Sequence, residues 1–87
     1  EVVDHDLLAA PVPPADYDAA YSLDVFEHIP PADEDRFVGN IARSLTRSGA
    51  AVIGSPSLQS QAYASPASKA GHVNCKDGKE FQRAMLR

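Results

Sequence analysis

Tyr17-Asp18-Ala19-Ala20-Tyr21-Ser22-Leu23-Asp24-Val25-Phe26-Glu27-His28-Ile29-Pro30 decides the fold. An aspartate-led apolar run enters a polar Ser-Leu-Asp tip and then an apolar turn carrying Glu27 and His28. The run over 17–22 reads as a strand covered on both faces, as parallel strands are. Strands of open α/β sheets present ligand-binding groups at their carboxyl ends, and Ser22 to His28 occupy such an end.

Outward from this stretch, Pro30-Pro31 closes the turn and a helix is expected over about 33–46. Phe37, Val38, Ile41 and Leu45 recur at helical spacing and form one apolar stripe. Asp33, Glu34 and Asp35 crowd the first turn while Arg43 and Arg47 lie near the end, matching the helix dipole. Gly49 is placed to stop the helix in the left-handed region, and Gly39 costs about 1 kcal/mol in its interior. Ala50 to Ser55 is the next strand, again with a polar tip at Ser55-Pro56-Ser57.

Upstream, Glu1 to Asp6 reads as the tail of a strand, and Pro11, Pro13 and Pro14 make 8–15 a loop by removing backbone donors. Downstream, residues 55–71 are rich in Ser, Ala, Gln and Pro without a period, which marks a lid or a linker. Gly71 to Cys75 reads as a short extended piece, and a second helix is expected over about 77–87 with Phe81, Met85 and Leu86 on one side. The fold class is α/β, with parallel strands near 1–6, 17–22 and 50–55.

At 87 residues and 44% hydrophobic content the chain is at most one small domain. No apolar run approaches a bilayer-spanning length, and the acidic, proline-broken amino end is not a signal peptide. One cysteine, Cys75, makes no internal disulfide and fits a reducing, cytoplasmic compartment. Residues 1–35 hold ten of the twelve carboxylates and no Lys or Arg, while 36–87 hold all eight basic residues. Two readings of this split are open: solvated faces, or an acidic rim for a cationic cofactor and a basic rim for an anionic substrate. Basic residues do not interleave with aromatics, so nucleic-acid binding is not supported.

In order and spacing, the strand, proline loop, strand, Glu-His turn, helix, strand and polar segment resemble class I S-adenosylmethionine-dependent methyltransferases. The Val25-Phe26-Glu27-His28-Ile29 turn is similar to the Leu-Glu-His-like turn of bacterial small-molecule enzymes such as quinone-biosynthesis methyltransferases. Gly54-Ser55-Pro56-Ser57 and Ala70-Gly71-His72-Val73-Asn74 add to the likeness. It implies a partial Rossmann-like sheet, S-adenosylmethionine as cofactor and a small-molecule acceptor with an oxygen, nitrogen or carbon nucleophile. The glycine-rich turn and the ribose-binding acid of the family do not occur in these residues. Residues 1–87 are therefore expected to be part of one methyltransferase domain, with little affinity for the cofactor and little stability alone. The strands near 17–22 and 50–55 are expected to pair directly, through a right-handed crossover.

The resemblance also assigns residues. Asp6, with Leu7 beside it, matches the acid that accepts from the adenine amine; the alternative is a cap of the proline loop. Ser22, Leu23 and Asp24 match the positions along the methionine arm, where Asp24 is either a countercharge or the N-cap of the turn. Glu27 and His28 are the candidates for chemistry. Methyl transfer mainly needs nucleophile and methyl held in line, and a base helps when the acceptor loses a proton, a role suited to histidine. The alternative is that His28 only caps its turn. In some relatives acidic and histidine side chains here bind a divalent metal. His72 and Cys75 stand three apart but do not complete a four-ligand zinc site, so no metal is expected there; His72 reads instead as a lid residue over the acceptor.

Two other functions share such a sheet. A nucleotide-sugar or nicotinamide enzyme would carry a dinucleotide glycine fingerprint upstream, and a non-enzymatic Rossmann-like domain would fail to bind the cofactor.

Overall fold

The computed structural model describes residues 4–85. Strand β1 (Tyr17–Leu23), helix α1 (Glu34–Ser44) and strand β2 (Leu45–Gly54) form a β-α-β unit, followed by short helices α2 (Pro66–Gly71) and α3 (Gly78–Met85). Three 3-10 turns, Phe26–His28, Pro31–Asp33 and Gln59–Tyr63, complete the regular structure. β1 and β2 pair in parallel as the sequence predicts, with Ala20 opposite Ala51 and Leu23 opposite Gly54. Of the strand expected over 1–6, residues 1–3 lie outside the described residues and 4–6 are irregular.

α1 turns its predicted stripe inward. Phe37 and Ile41 are buried with Phe26 and with Ala84 of α3, and Val38, Phe81 and Met85 pack around them. Phe26 stands edge-on to Phe81 at 5.3 Å between ring centroids, and 6.3 Å from Phe37. The helix also holds the proline loop through polar groups. Asn40 Nδ2 donates to the Leu7 carbonyl, and Ser44 Oγ accepts from the Val12 N–H at 2.8 Å. α3 begins at an Asp77 cap, whose Oδ1 accepts the Glu80 N–H at 2.8 Å. That backbone bond, ahead of all other influences, holds the Asp77 carboxyl below its ordinary pKa. Leu86, expected on the inner side of this helix, lies outside the described residues.

Several details correct the sequence reading. α1 stops at Ser44 because Leu45 is already extended (φ −98°, ψ 156°), so Gly49 is not its cap. Gly49 instead lies within β2, where Thr46 to Gly49 bulge against Asp18 alone, between the Tyr17–Leu45 and Ala19–Ala50 pairs. A Cβ there would sit 3.0 Å from Leu45 Cβ, 3.1 Å from the Thr46 oxygen and 3.2 Å from the Asp18 oxygen. Close backbone approach, not a left-handed turn, requires the glycine. Gly49→Ala is accordingly expected to cost about 1–3 kcal/mol, as overpacking does. At Gly39 a Cβ meets only the far end of the Arg43 side chain, at 3.3 Å, which can give by a few tenths of an ångström while keeping its bond to Asn40 Oδ1, so Gly39→Ala is expected to stabilise by up to about 1 kcal/mol. Denaturant midpoints check the opposite signs.

β1 is also covered on one face only: Tyr21 is 81% and Leu23 57% exposed. The 55–71 segment is neither lid nor linker throughout, since it folds into the Gln59–Tyr63 turn and α2. Its start is tied down by a Ser57–Lys76 bridge and by the Leu58 N–H donating to the Lys76 carbonyl. Of the 71–75 stretch, Gly71 ends α2 and 72–75 are irregular rather than extended.

Candidate functional site

The site is built at the carboxyl end of β1. Asp24 leaves the strand with φ 58°, a left-handed conformation that Asp tolerates better than most residues, and its N–H donates to the Gly54 carbonyl. This kink turns the chain into the Phe26–His28 turn. Val25, not Asp24, is the N-cap, and no side-chain bond caps the turn. The capping alternative for Asp24 is therefore excluded, and its exposed carboxylate remains at the strand tip.

Phe26 is fully buried, and burying it carries the neighbouring Glu27 to 1% exposure. His28 points back across to the downstream segment, where its Nδ1 lies 2.7 Å from the Gly71 carbonyl oxygen. A Cβ on Gly71 would be 3.2 Å from the His28 ring, so glycine is what allows the approach. The Asn74 N–H donates to the Glu27 carbonyl at 2.9 Å. These two bonds bring His72 over the turn. His72 Nδ1 lies 3.0 Å from Gln61 Oε1, and the two imidazoles meet edge to face at 5.0 Å.

Glu27 Oε2 is the meeting point. It lies 3.6 Å from His28 Nε2 and 3.9 Å from His72 Nε2, while the Ser55 hydroxyl reaches Oε1 at 3.4 Å. Glu27, His28 and His72 thus converge from two separate segments, with one potential ligand atom from each within 4.8 Å of the others. The sequence reading named all three but kept His72 apart from the pair. Ser55 and Gly71 enter the sequence reading only as parts of their motifs, with no site role, and nothing in Gln61's polar neighbourhood marks it as the partner of His72. Cys75 is not a member of the cluster. Burial, and then the Glu27 charge, push its thiol pKa up, which makes it a poor nucleophile and ligand near neutral pH.

The residues expected along the cofactor are arranged differently. Asp6 Oδ1 accepts the Leu8 N–H at 2.9 Å, closing the turn that opens the proline loop. Leu7 and Ser22 share a largely apolar cavity of about 370 Å³ with Val12, Tyr17, Ile41 and Val52, among others. Ala19 to Ser22 of β1 and Ala51 to Ile53 of β2 line it together. Leu23 and Asp24 lie outside it, as do Glu27, His28 and His72.

A parallel β-α-β unit with polar groups gathered at one strand end is the scaffold of an α/β enzyme. Residues 1–53 match the family described as methyltransferase domain, and the chain belongs to that family, the class I methyltransferases anticipated from the Tyr17–Pro30 stretch. No curated protein and no solved structure matches the chain. No helix among the described residues is long and apolar enough to cross a membrane.

Proposed function

We propose that the protein transfers the methyl group of S-adenosylmethionine to an oxygen, nitrogen or carbon nucleophile of a small molecule, in the cytoplasm. The observation that carries this reading is the gathering of Glu27, His28 and His72 at the strand end of a methyltransferase-family domain. The cofactor supplies a methyl already activated on a sulfonium, so the protein's part is to hold the acceptor in line and take its proton. In its neutral form His28 donates from Nδ1 to the Gly71 carbonyl, an acceptor only, which leaves the Nε2 lone pair as its basic atom. The side chain is 48% exposed, so an acceptor can reach it. Glu27 Oε2, 3.6 Å from that Nε2, stabilises the imidazolium once the proton is taken, and His72 stands over the same atoms.

The chemistry of the strand tips fits the cofactor. Asp24 offers an exposed, acceptor-only carboxylate for the ammonium or sulfonium end. Asp6 uses Oδ1 for the loop and has Oδ2 for the adenine amine. Residues 1–87 belong, in this reading, to one class I domain, with a further strand paired on the free edge of β1. Such a strand would bring groups able to partner Ser22 Oγ, which is buried without a hydrogen-bond partner. The free Cys75 supports the reducing compartment.

Calorimetry with S-adenosylmethionine on the full-length protein tests the reading. Asp6→Ala should weaken binding about ten- to a hundredfold, since a hydrogen bond to a charged group is worth roughly 1.5–3 kcal/mol. Turnover at saturating cofactor should change much less. An unaltered dissociation constant would leave Asp6 as a loop cap only, and no binding by the parent protein would favour a non-enzymatic domain.

A further inference from the structure

Glu27 is a carboxylate at 1% exposure, and such a group needs a cation or a full set of donors to offset its lost hydration. Among the described residues no Lys or Arg pairs with it; Lys76 pairs with Glu34 instead, at 3.2 Å. Oε1 accepts a long bond from the Ser55 hydroxyl, at 3.4 Å. Oε2 faces two imidazoles, with His28 Nε2 at 3.6 Å and His72 Nε2 at 3.9 Å. Both separations are too long for a direct hydrogen bond.

Each ring is fixed through its other nitrogen. His28 Nδ1 lies 2.7 Å from the Gly71 carbonyl oxygen, and His72 Nδ1 lies 3.0 Å from Gln61 Oε1. Those oxygens accept, so each neutral ring donates from Nδ1 and keeps a lone pair on Nε2. Three acceptor atoms therefore converge, one of them anionic. They are satisfied together only by a group that brings several donors and a positive charge.

An alkylammonium is such a group: a compact cation with three N–H donors and no acceptor. With charge-assisted bonds of about 2.8–2.9 Å, its tetrahedral nitrogen sets three acceptors about 4–5 Å apart. The three atoms here all lie within 4.8 Å of one another. A hydroxyl brings one donor and no charge, so it does not replace the hydration that Glu27 gives up. The half-exposed His28 side chain opens the way in. The exposed Asp24 carboxylate at the same strand tip, and a net charge of −4, favour the approach of a cation.

We propose that Glu27 Oε2, His28 Nε2 and His72 Nε2 hold the ammonium group of the acceptor, which makes the acceptor a primary amine. The ammonium site stands on its geometry; the acceptor assignment rests on the methyl-transfer reading. In that reaction His28 Nε2 takes one N–H proton and leaves the amine nitrogen with a free electron pair. The pair forms the nitrogen–carbon bond to the methyl as the carbon–sulfur bond breaks and its electrons stay on sulfur. The products are a secondary ammonium and S-adenosylhomocysteine, with the proton passing from His28 to water. Glu27 and His72 keep hold of the remaining N–H groups throughout.

Proton NMR of the histidine rings in the full-length protein tests the site, in a titration at neutral pH without S-adenosylmethionine. The probes are n-butylammonium and benzylammonium, each run against its alcohol, and His28→Gln and His72→Gln assign the ring signals. At least one amine should shift both rings with a dissociation constant of about 1 mM or tighter, and neither alcohol should. Glu27→Gln keeps the shape but removes the charge, so it should weaken amine binding about ten- to a hundredfold. Circular dichroism confirms that this variant is folded; if it is not, His72→Gln replaces it, with a loss of about tenfold or more expected. With S-adenosylmethionine added, the methyl should appear on the amine nitrogen and not on the alcohol oxygen. No shift with either amine, equal shifts with the alcohols, or unaltered binding in the variant overturns the proposal. Amine binding by a protein that does not bind S-adenosylmethionine would uphold the site and sink the methyl-transfer reading, so the two fail separately.

Discussion

Phe26→Ala is expected to destabilise the protein by about 3–5 kcal/mol, the range for deleting a buried phenylalanine. Phe26 is fully buried, and its ring touches both layers that must come together: Phe37 on α1 and Phe81 on α3. The buried apolar core among the described residues is small, with Phe26, Phe37, Ile41 and Ala84 as its members, so the cavity left behind has few side chains able to fill it. Domains are stable by only about 5–15 kcal/mol in total, so this one change removes a large share. A denaturant titration of the full-length protein should show a much lower midpoint with an unaltered slope. Tyr63→Ala, at 92% exposure, serves as the control and should stay within about 0.5 kcal/mol. Phe26 also sets the position of the next residue, so its variant should loosen Glu27 and lower turnover even below the unfolding midpoint.

That coupling shows which parts of the molecule were legible in the sequence. The Phe37–Ile41 stripe and the polar ends of the two strands are local patterns, and they gave the β-α-β unit with its parallel pairing. The end of α1 was misread because Gly49 satisfies the rule for a helix stop, while its real constraint is contact with the Asp18 and Thr46 carbonyls across a bulge. Coverage of β1 was misread because an apolar strand carries no mark of which face its neighbours cover. Glu27, His28 and His72 were each visible as residue types able to do chemistry. Their meeting was not, since it depends on a contact between His28 and Gly71, 43 positions apart, and on a Gln61 interaction that no spacing signals. The expected helical turn at 26–28, by contrast, could be located but not its burial, which comes from α3 arriving over Phe26.

His28→Ala is expected to lower turnover about 10²–10⁴-fold, the usual contribution of a positioned general base, with S-adenosylmethionine affinity little altered. The argument is geometric: the imidazole is fixed through Nδ1 by the Gly71 carbonyl, and its basic Nε2 lies 3.6 Å from Glu27 Oε2, a carboxylate placed to stabilise the imidazolium formed when Nε2 takes the proton. Single-turnover rates and cofactor dissociation constants, measured on the same preparations, separate loss of chemistry from loss of binding. Full turnover in the variant would return His28 to a structural part in its turn. Comparison with His72→Ala then decides how the imidazole acts. A base works alone on the acceptor proton, so losing His72, which is 11% exposed and covers the site, should cost much less than losing His28. Unequal losses assign the proton to His28; matched losses make the two imidazoles joint parts of one site around Glu27 Oε2.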